Sequence, residues 1–213
     1  MNDKDKQPTS GFVSDIGDES DFNSTRHNGG FTNISEAYVS KSGFTRMFSA
    51  VRYGKRYMLK CLKPDFAYTP IYRQALMKEF EIGLQLDHPN ICRTISMEPV
   101  GELGDCIVME YVDGETLEAA VKGGNMTEDK VRKIASQLLD AMEYMHAKQT
   151  VHRDIKPSNI MLTHRGGDVK LIDFGLSDSE TFCVLKIPAG TIGYMAPEQL
   201  QPGAKSDPCA DIF

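Results

Sequence analysis

From Ser35 onward apolar and polar positions alternate with a period of two: Ala37-Tyr38-Val39, then Arg46 to Val51, then Arg56 to Leu62 after a Gly54-Lys55 turn. That period belongs to half-buried strands and predicts a three-stranded antiparallel meander. The period then lengthens. Between Ile71 and Leu86 the positions Leu76, Phe80, Gly83 and Leu84 recur at helical spacing, and the helix stops near Asp87-His88-Pro89 because a proline disfavours helical backbone before it. Two more strands follow, Ile95-Ser96-Met97 and Cys106 to Val112, joined by a turn containing Gly101 and Gly104. Asp113 to Leu117 opens a short helix. A long helix starts after Met126, with Thr127 as N-cap and Glu128 and Asp129 at the positive end of its dipole. Its apolar stripe is Val131, Ile134, Ala135, Leu138, Leu139, Met142 and Met145, and it stops near His146-Ala147-Lys148. Beyond it, Ile160-Met161-Leu162 and Val169-Lys170-Leu171-Ile172 are short apolar runs of strand type.

Residues 1–33 lack such a period. They are rich in Asp, Asn, Ser, Gly and Thr, and Phe12, Val13, Ile16 and Phe22 are too few to bury, so a disordered leader is expected there. The formal net charge over 213 residues is −6, which argues against a nucleic-acid partner, since that surface needs a basic stripe. No apolar run reaches the roughly eighteen residues of a membrane span. The N-terminus lacks the apolar core of a secretory signal. Cys61, Cys92, Cys106, Cys183 and Cys209 form no Cys-x-x-Cys pair, which fits reduced structural thiols in a cytoplasmic protein better than disulfides or zinc.

Chemistry concentrates in one loop. His152, Arg153, Asp154, Lys156 and Asn159 stand within eight residues and run directly into the apolar Ile160-Met161-Leu162. So dense a polar cluster beside buried strand is costly unless its groups face a ligand. Asp173-Phe174-Gly175, Gly190-Thr191 and Ala196-Pro197-Glu198 follow in that order. The four signals together resemble the eukaryotic-type protein kinases, on the serine/threonine-directed branch.

The resemblance implies a two-lobed α+β fold: a β-rich small lobe over 34–111, a hinge, and an incomplete helical lobe over 112–213. It implies phosphoryl transfer from ATP with Mg²⁺ to a serine or threonine hydroxyl of a protein substrate. Asp154 would accept or orient the hydroxyl proton, Lys156 would steady the transferring group, and Thr191 would bond near both. Asn159 and Asp173 would hold Mg²⁺. Lys60 would reach the α- and β-phosphates, held by Glu79 on the preceding helix. Met109 would be the gatekeeper, the peptides of Glu110 and Val112 would meet the adenine edge, and Met47, Met58 and Met161 would line the slot. Arg153 would receive a phosphorylated residue, with Ser177, Ser179 and Thr181 as candidates. His152 and Phe174 would pack.

Departures from the family pattern are equally specific. Ser40, Ser42 and Thr45 stand where three phosphate-loop glycines would be, with Gly43 and Phe44 matching the usual neighbours. Met58 replaces a customary alanine, and Gly83 replaces a large apolar residue that would touch Phe174. These favour a rival reading, a kinase-like binding module without phosphoryl transfer. Small-molecule phosphotransferases of the aminoglycoside type generally lack the Asp173-Phe174-Gly175 and Ala196-Pro197-Glu198 equivalents. Lys205 to Phe213 resembles the start of a large-lobe helix whose Asp211 braces the catalytic loop. Relatives continue with further helices, so an incomplete lobe with uncovered apolar surface is expected.

Overall fold

The computed structural model describes residues 28–39, 43–124, 126–175, 178–179, 191, 193–200 and 207–213. Its first layer is an antiparallel five-stranded sheet made of β1 (Thr32–Val39), β2 (Thr45–Arg52), β3 (Lys55–Leu62), β4 (Thr94–Pro99) and β5 (Asp105–Glu110), in the order β1-β2-β3-β5-β4. The expected meander is β1 to β3. Tyr53 and Gly54 close the β2–β3 hairpin with φ of 51° and 73°. Two left-handed residues in a two-residue loop match the twist of the flanking strands.

The folded region starts earlier than the expected end of the leader at residue 33. Phe31 is buried against Phe48, Ala50, Leu59, Cys61, Val100, Cys106 and Val108 on one face of the sheet. The Arg52 guanidinium lies 4.2 Å from the Phe31 ring centroid and holds Glu98 at 2.9 Å. Strand alternation sends Leu59 and Cys61 to this face and Lys60 and Leu62 to the other. There the first helix, α1 (Pro70–Leu84), covers the sheet, with Pro70 at its first turn where a missing N–H costs nothing.

Gly83 has a definite packing role. A Cβ at this position would overlap Thr94 Oγ1 and come within 3.1 Å of Thr94 Cβ, so the glycine lets α1 approach β4 closely. Without that contact, Gly83→Ala would stabilise the helix by about 1 kcal/mol. With it, the substitution is expected to destabilise by about 1–3 kcal/mol through overpacking, and to turn neutral or stabilising in a Thr94→Ala background. Urea unfolding of the four combinations gives the sign directly.

Gly114–Thr116 is not the start of a helix, as the pattern suggested. It forms β6, which pairs with β8 (Ile160–Thr163), itself paired with β9 (Val169–Leu171). A side chain at Gly114 would collide with the Leu162 carbonyl, so glycine permits this pairing. The helix starts one residue later as α2 (Leu117–Lys122), where the Thr116 hydroxyl accepts from Ala119 N at 3.2 Å. The long helix α3 (Glu128–Ala147) has Thr127 at its cap as expected.

Its stripe is only partly buried. Ile134, Ala141 and Met145 join Ile82, Leu86, Ile91, Ile160, Leu171 and Phe174 in the lower core and Met142 is buried too, whereas Ala135 is exposed and Val131 and Leu139 are 50% and 54% exposed. Those three lie a turn apart on a neighbouring face, so the stripe is wider than the sheet it packs on. The lobes are stitched together where Cys92 N donates to Leu171 O and Leu171 N donates to Asn90 O, both at 2.8 Å. After β7 (Thr150–Val151), which pairs with Asp178–Ser179, the described residues include single-turn 3₁₀ segments at Pro157–Asn159, Pro197–Leu200 and Pro208–Asp211. Among the described residues no helix is long and apolar enough to cross a membrane.

Candidate active site

The site lies between the sheet and the β8–β9 hairpin, where residues far apart in sequence converge. Lys60 on β3 is nearly fully buried, and its Nζ donates to Glu79 Oε1 of α1 at 2.5 Å and to Asp173 Oδ1 at 2.6 Å. Burial alone would discharge the lysine, but Asp173 and Glu79 more than offset it and its pKa is raised. Glu79 is pushed up chiefly by burial, with Lys60 pulling the other way. The Lys60 ammonium is the main reason that Asp173 falls to about 2. Gly175 packs on this group, since a Cβ there would stand 3.3 Å from both Asp173 Oδ1 and Glu79 Oε2.

Asp173 sets the acid response of the ion pair. Its folded pKa lies below the unfolded value of about 3.9, so its stabilisation is complete above about pH 4 and is lost as pH falls toward 2. Lys60, shifted upward, keeps its contribution below its unfolded value of about 10.4 and is silent in that window. Glu79, also shifted upward, runs the other way and favours the fold more at low pH. Asp173→Asn is therefore expected to flatten the drop in Tm between about pH 4 and 2. Parallel Tm curves for the two proteins would contradict the assignment.

The second cluster centres on Asp154. Its Oδ1 accepts from Thr191 N at 3.1 Å and Thr191 Oγ1 at 2.8 Å, and its Oδ2 accepts from Lys156 Nζ at 2.6 Å and Asn159 Nδ2 at 2.9 Å. Lys156 Nζ also donates to Thr191 Oγ1 at 2.5 Å. The Asn159 amide nitrogen serves a second acceptor, the Asp154 carbonyl at 2.9 Å, so its Oδ1 is the atom left for another partner. Asn159 opens toward Asp173 through the chain, because its carbonyl accepts from Ile172 N at 2.9 Å. Asp173 has φ of 67° and its side chain is 47% exposed. An amide oxygen and an ionised carboxylate are hard oxygen donors of the type Mg²⁺ selects. Among the described residues no group of three or more His, Cys, Asp and Glu side chains is placed to hold a metal ion, so a cation here would draw its other ligands from phosphate and water.

His152 packs, as expected. It is fully buried, edge-on to Phe174 with centroids 5.3 Å apart, and burial lowers its pKa. In the neutral ring Nδ1 accepts from Asp154 N, which places the proton on Nε2 facing Ile172 O at 3.2 Å. Asp211 holds the same loop from below: its carboxylate accepts from His152 N at 2.8 Å and Arg153 N at 2.7 Å.

At the hinge Met109 is buried with Met47, Met58 and Val112 packed in the same cluster. Met161 stands half-buried on β8, opposite Thr116 and Lys170. Glu110 N donates to Arg93 O at 3.0 Å, and its carbonyl accepts from Cys92 Sγ at 3.8 Å. The Glu110 side chain binds Lys170 at 2.6 Å, a contact that the sequence pattern did not reveal. Two further partners were missed. Gln199 accepts from Ala196 N and donates to Arg153 O, and His146 reaches Asp211 at 2.9 Å. The only sequence signal for these was a polar residue at an otherwise apolar junction. Gly43 is half-buried in the bend just before β2. Ser40, Ser42, Ser177, Thr181 and Gly190 lie outside the described residues, and only the backbone of Ser179 is described.

A five-stranded sheet and helix over a hairpin carrying this lysine–glutamate–aspartate contact define a class. Residues 41–213 match the protein kinase domain family, and the chain belongs to that family, on its eukaryotic-type serine/threonine branch. It is 40% identical over 164 residues to mitogen-activated protein kinase kinase 9 of Arabidopsis thaliana, covering 74% of this chain and 50% of that one. It is 37% identical over 167 residues to mitogen-activated protein kinase kinase 7 of the same plant, covering 75% and 51%. To the serine/threonine-protein kinase PrkC of Bacillus subtilis it is 36% identical over 151 residues, covering 68% and 23%. The chain thus spans about half of the plant kinases and about a quarter of the bacterial one.

Proposed function

We propose that this chain transfers the γ-phosphoryl group of ATP to serine or threonine hydroxyls of a protein substrate. The observation that carries the proposal is the convergence of Lys156, Asn159 and Thr191 on the single carboxylate of Asp154. Phosphoryl transfer needs charge neutralisation and in-line placement more than covalent chemistry. Lys60, fixed by Glu79, would neutralise phosphate oxygens at the small-lobe side. Asp154 would accept the hydrogen bond of the incoming hydroxyl, and Lys156 would offset charge on the moving group. Thr191 would hold both in place. Asn159 and Asp173 would hold Mg²⁺, which when bound neutralises phosphate charge. The Glu110 carbonyl and the Val112 peptide would meet the adenine edge under Met109, and Gly43 and Ser40 would serve the phosphates.

The rival is a kinase-like module that binds without transfer, suggested by Met58 and the serine-bearing loop. A radiolabelled ATP assay with a generic basic protein distinguishes the two. Transfer that disappears in Asp173→Ala supports the proposal, and equal signals from the two proteins remove it.

A further inference from the structure

Cys61 and Cys106 stand directly opposite each other on β3 and β5. Partners in an antiparallel pair have Cα atoms about 4.5–5.5 Å apart and side chains on one face, within the span that a disulfide bridges. Both thiols are free and fully buried, in the cluster that contains Phe31 and Val100. The neighbouring strand adds a charge. Arg46 on β2 is in register with Cys61. Among the described residues its Nε is the buried side-chain nitrogen without a hydrogen-bond partner. Such an orphan costs about 1–3 kcal/mol and calls for an explanation. A neutral thiol is a poor acceptor, whereas a thiolate at Cys61 would satisfy that N–H.

The electrostatics agree with this geometry. The adjacent Cys106 thiol lowers Cys61 to about 7 against the effect of burial, with the Arg46 guanidinium assisting and Glu36 of β1 opposing. The same contact pushes Cys106 upward; its single S–H serves the Gly104 carbonyl at 3.4 Å while Cys61 is neutral and would turn to the Cys61 sulfur once that is ionised. One sulfur is thus prepared as nucleophile and the other as the resolving thiol.

We propose that Cys61 and Cys106 are a redox modification site that closes to a cross-strand disulfide, with a hydroperoxide as oxidant and Arg46 holding the attacking sulfur. The Cys61 sulfur bonds to one peroxide oxygen, the O–O bond breaks, and the departing hydroxide leaves as water with the thiol proton. Cys106 then attacks the Cys61 sulfenic acid. The S–S bond forms, the S–O bond breaks, and the Cys106 proton leaves with that oxygen as a second water. Two thiols lose two electrons and hydrogen peroxide becomes two waters. Peroxide is small enough to reach the pair through local opening of the residues 28–31 that carry Phe31 over this face. The new bond lies one residue beyond Lys60, so it would tie β3 to β5 at the edge of the site.

The test treats the full chain with hydrogen peroxide, alkylates remaining thiols in denaturant, and maps peptides by mass. Expected is a Cys61–Cys106 linked pair lighter by two hydrogens. It should form several-fold more slowly in Arg46→Met and recover in Arg46→Lys. A Cys106→Ser chain should instead accumulate sulfenic acid at Cys61, trapped by a cyclic diketone. Recovery of both cysteines as alkylated thiols while exposed Cys209 is oxidised overturns the proposal, as does an unchanged rate in Arg46→Met. None of these readouts depends on phosphoryl transfer.

Discussion

Asp154→Asn is expected to lower turnover by about 10²–10⁴-fold, the range associated with losing a positioned proton acceptor. KM for ATP should change little, because Lys60 and the hinge peptides are untouched. The side chain keeps its shape but not its chemistry. All four hydrogen bonds to the Asp154 carboxylate, from Lys156, Asn159 and twice from Thr191, are donated to it, so either orientation of the amide sets an NH₂ against donors. Some loss of stability should follow, about 1–3 kcal/mol for a buried polar group left unmatched, and the Tm is measured alongside. Turnover within threefold of the unaltered protein, at equal folded fraction, would remove Asp154 from the chemistry.

Asp211→Ala is expected to give the largest loss of stability, about 3–5 kcal/mol. The carboxylate is buried and receives two peptide N–H groups and the His146 ring. Its removal leaves His152 N and Arg153 N, both inside the structure, without their acceptor. Arg153 has φ of 70°, a left-handed backbone that side chains avoid and that the surroundings must hold in place. Loss of the brace should therefore lower both the urea midpoint and kcat, while Asp211→Asn, which keeps one acceptor oxygen, should lose less of each. An unaltered urea midpoint in Asp211→Ala would show that the loop is held by other means.

Much of the site was legible because its chemistry is dense and local. Asp154, Lys156 and Asn159 lie within six residues, so one loop announced them, and Asp173 follows a short apolar strand. Lys60 and Glu79 were legible only in combination, since each alone is an ordinary charged residue. Their 2.5 Å contact is made by β3 and α1 folding together. The partners in the Glu110–Lys170 bridge, the Gln199 contacts and the Gly83–Thr94 packing were not legible, because each joins segments whose approach depends on tertiary placement rather than on local spacing.

The amino-acid order by itself determined the strands, the helix periods, the N-cap at Thr127 and the composition of the polar loop, since these follow from side-chain alternation and backbone preference within a few residues. The tertiary structure decided which strand lies beside which, that Gly114–Thr116 pairs with β8 rather than starting a helix, and that Val131, Ala135 and Leu139 face outward. It also decided that Phe31 is core. Those outcomes depend on the space left between elements distant in the chain, and local preference carries no information about that space.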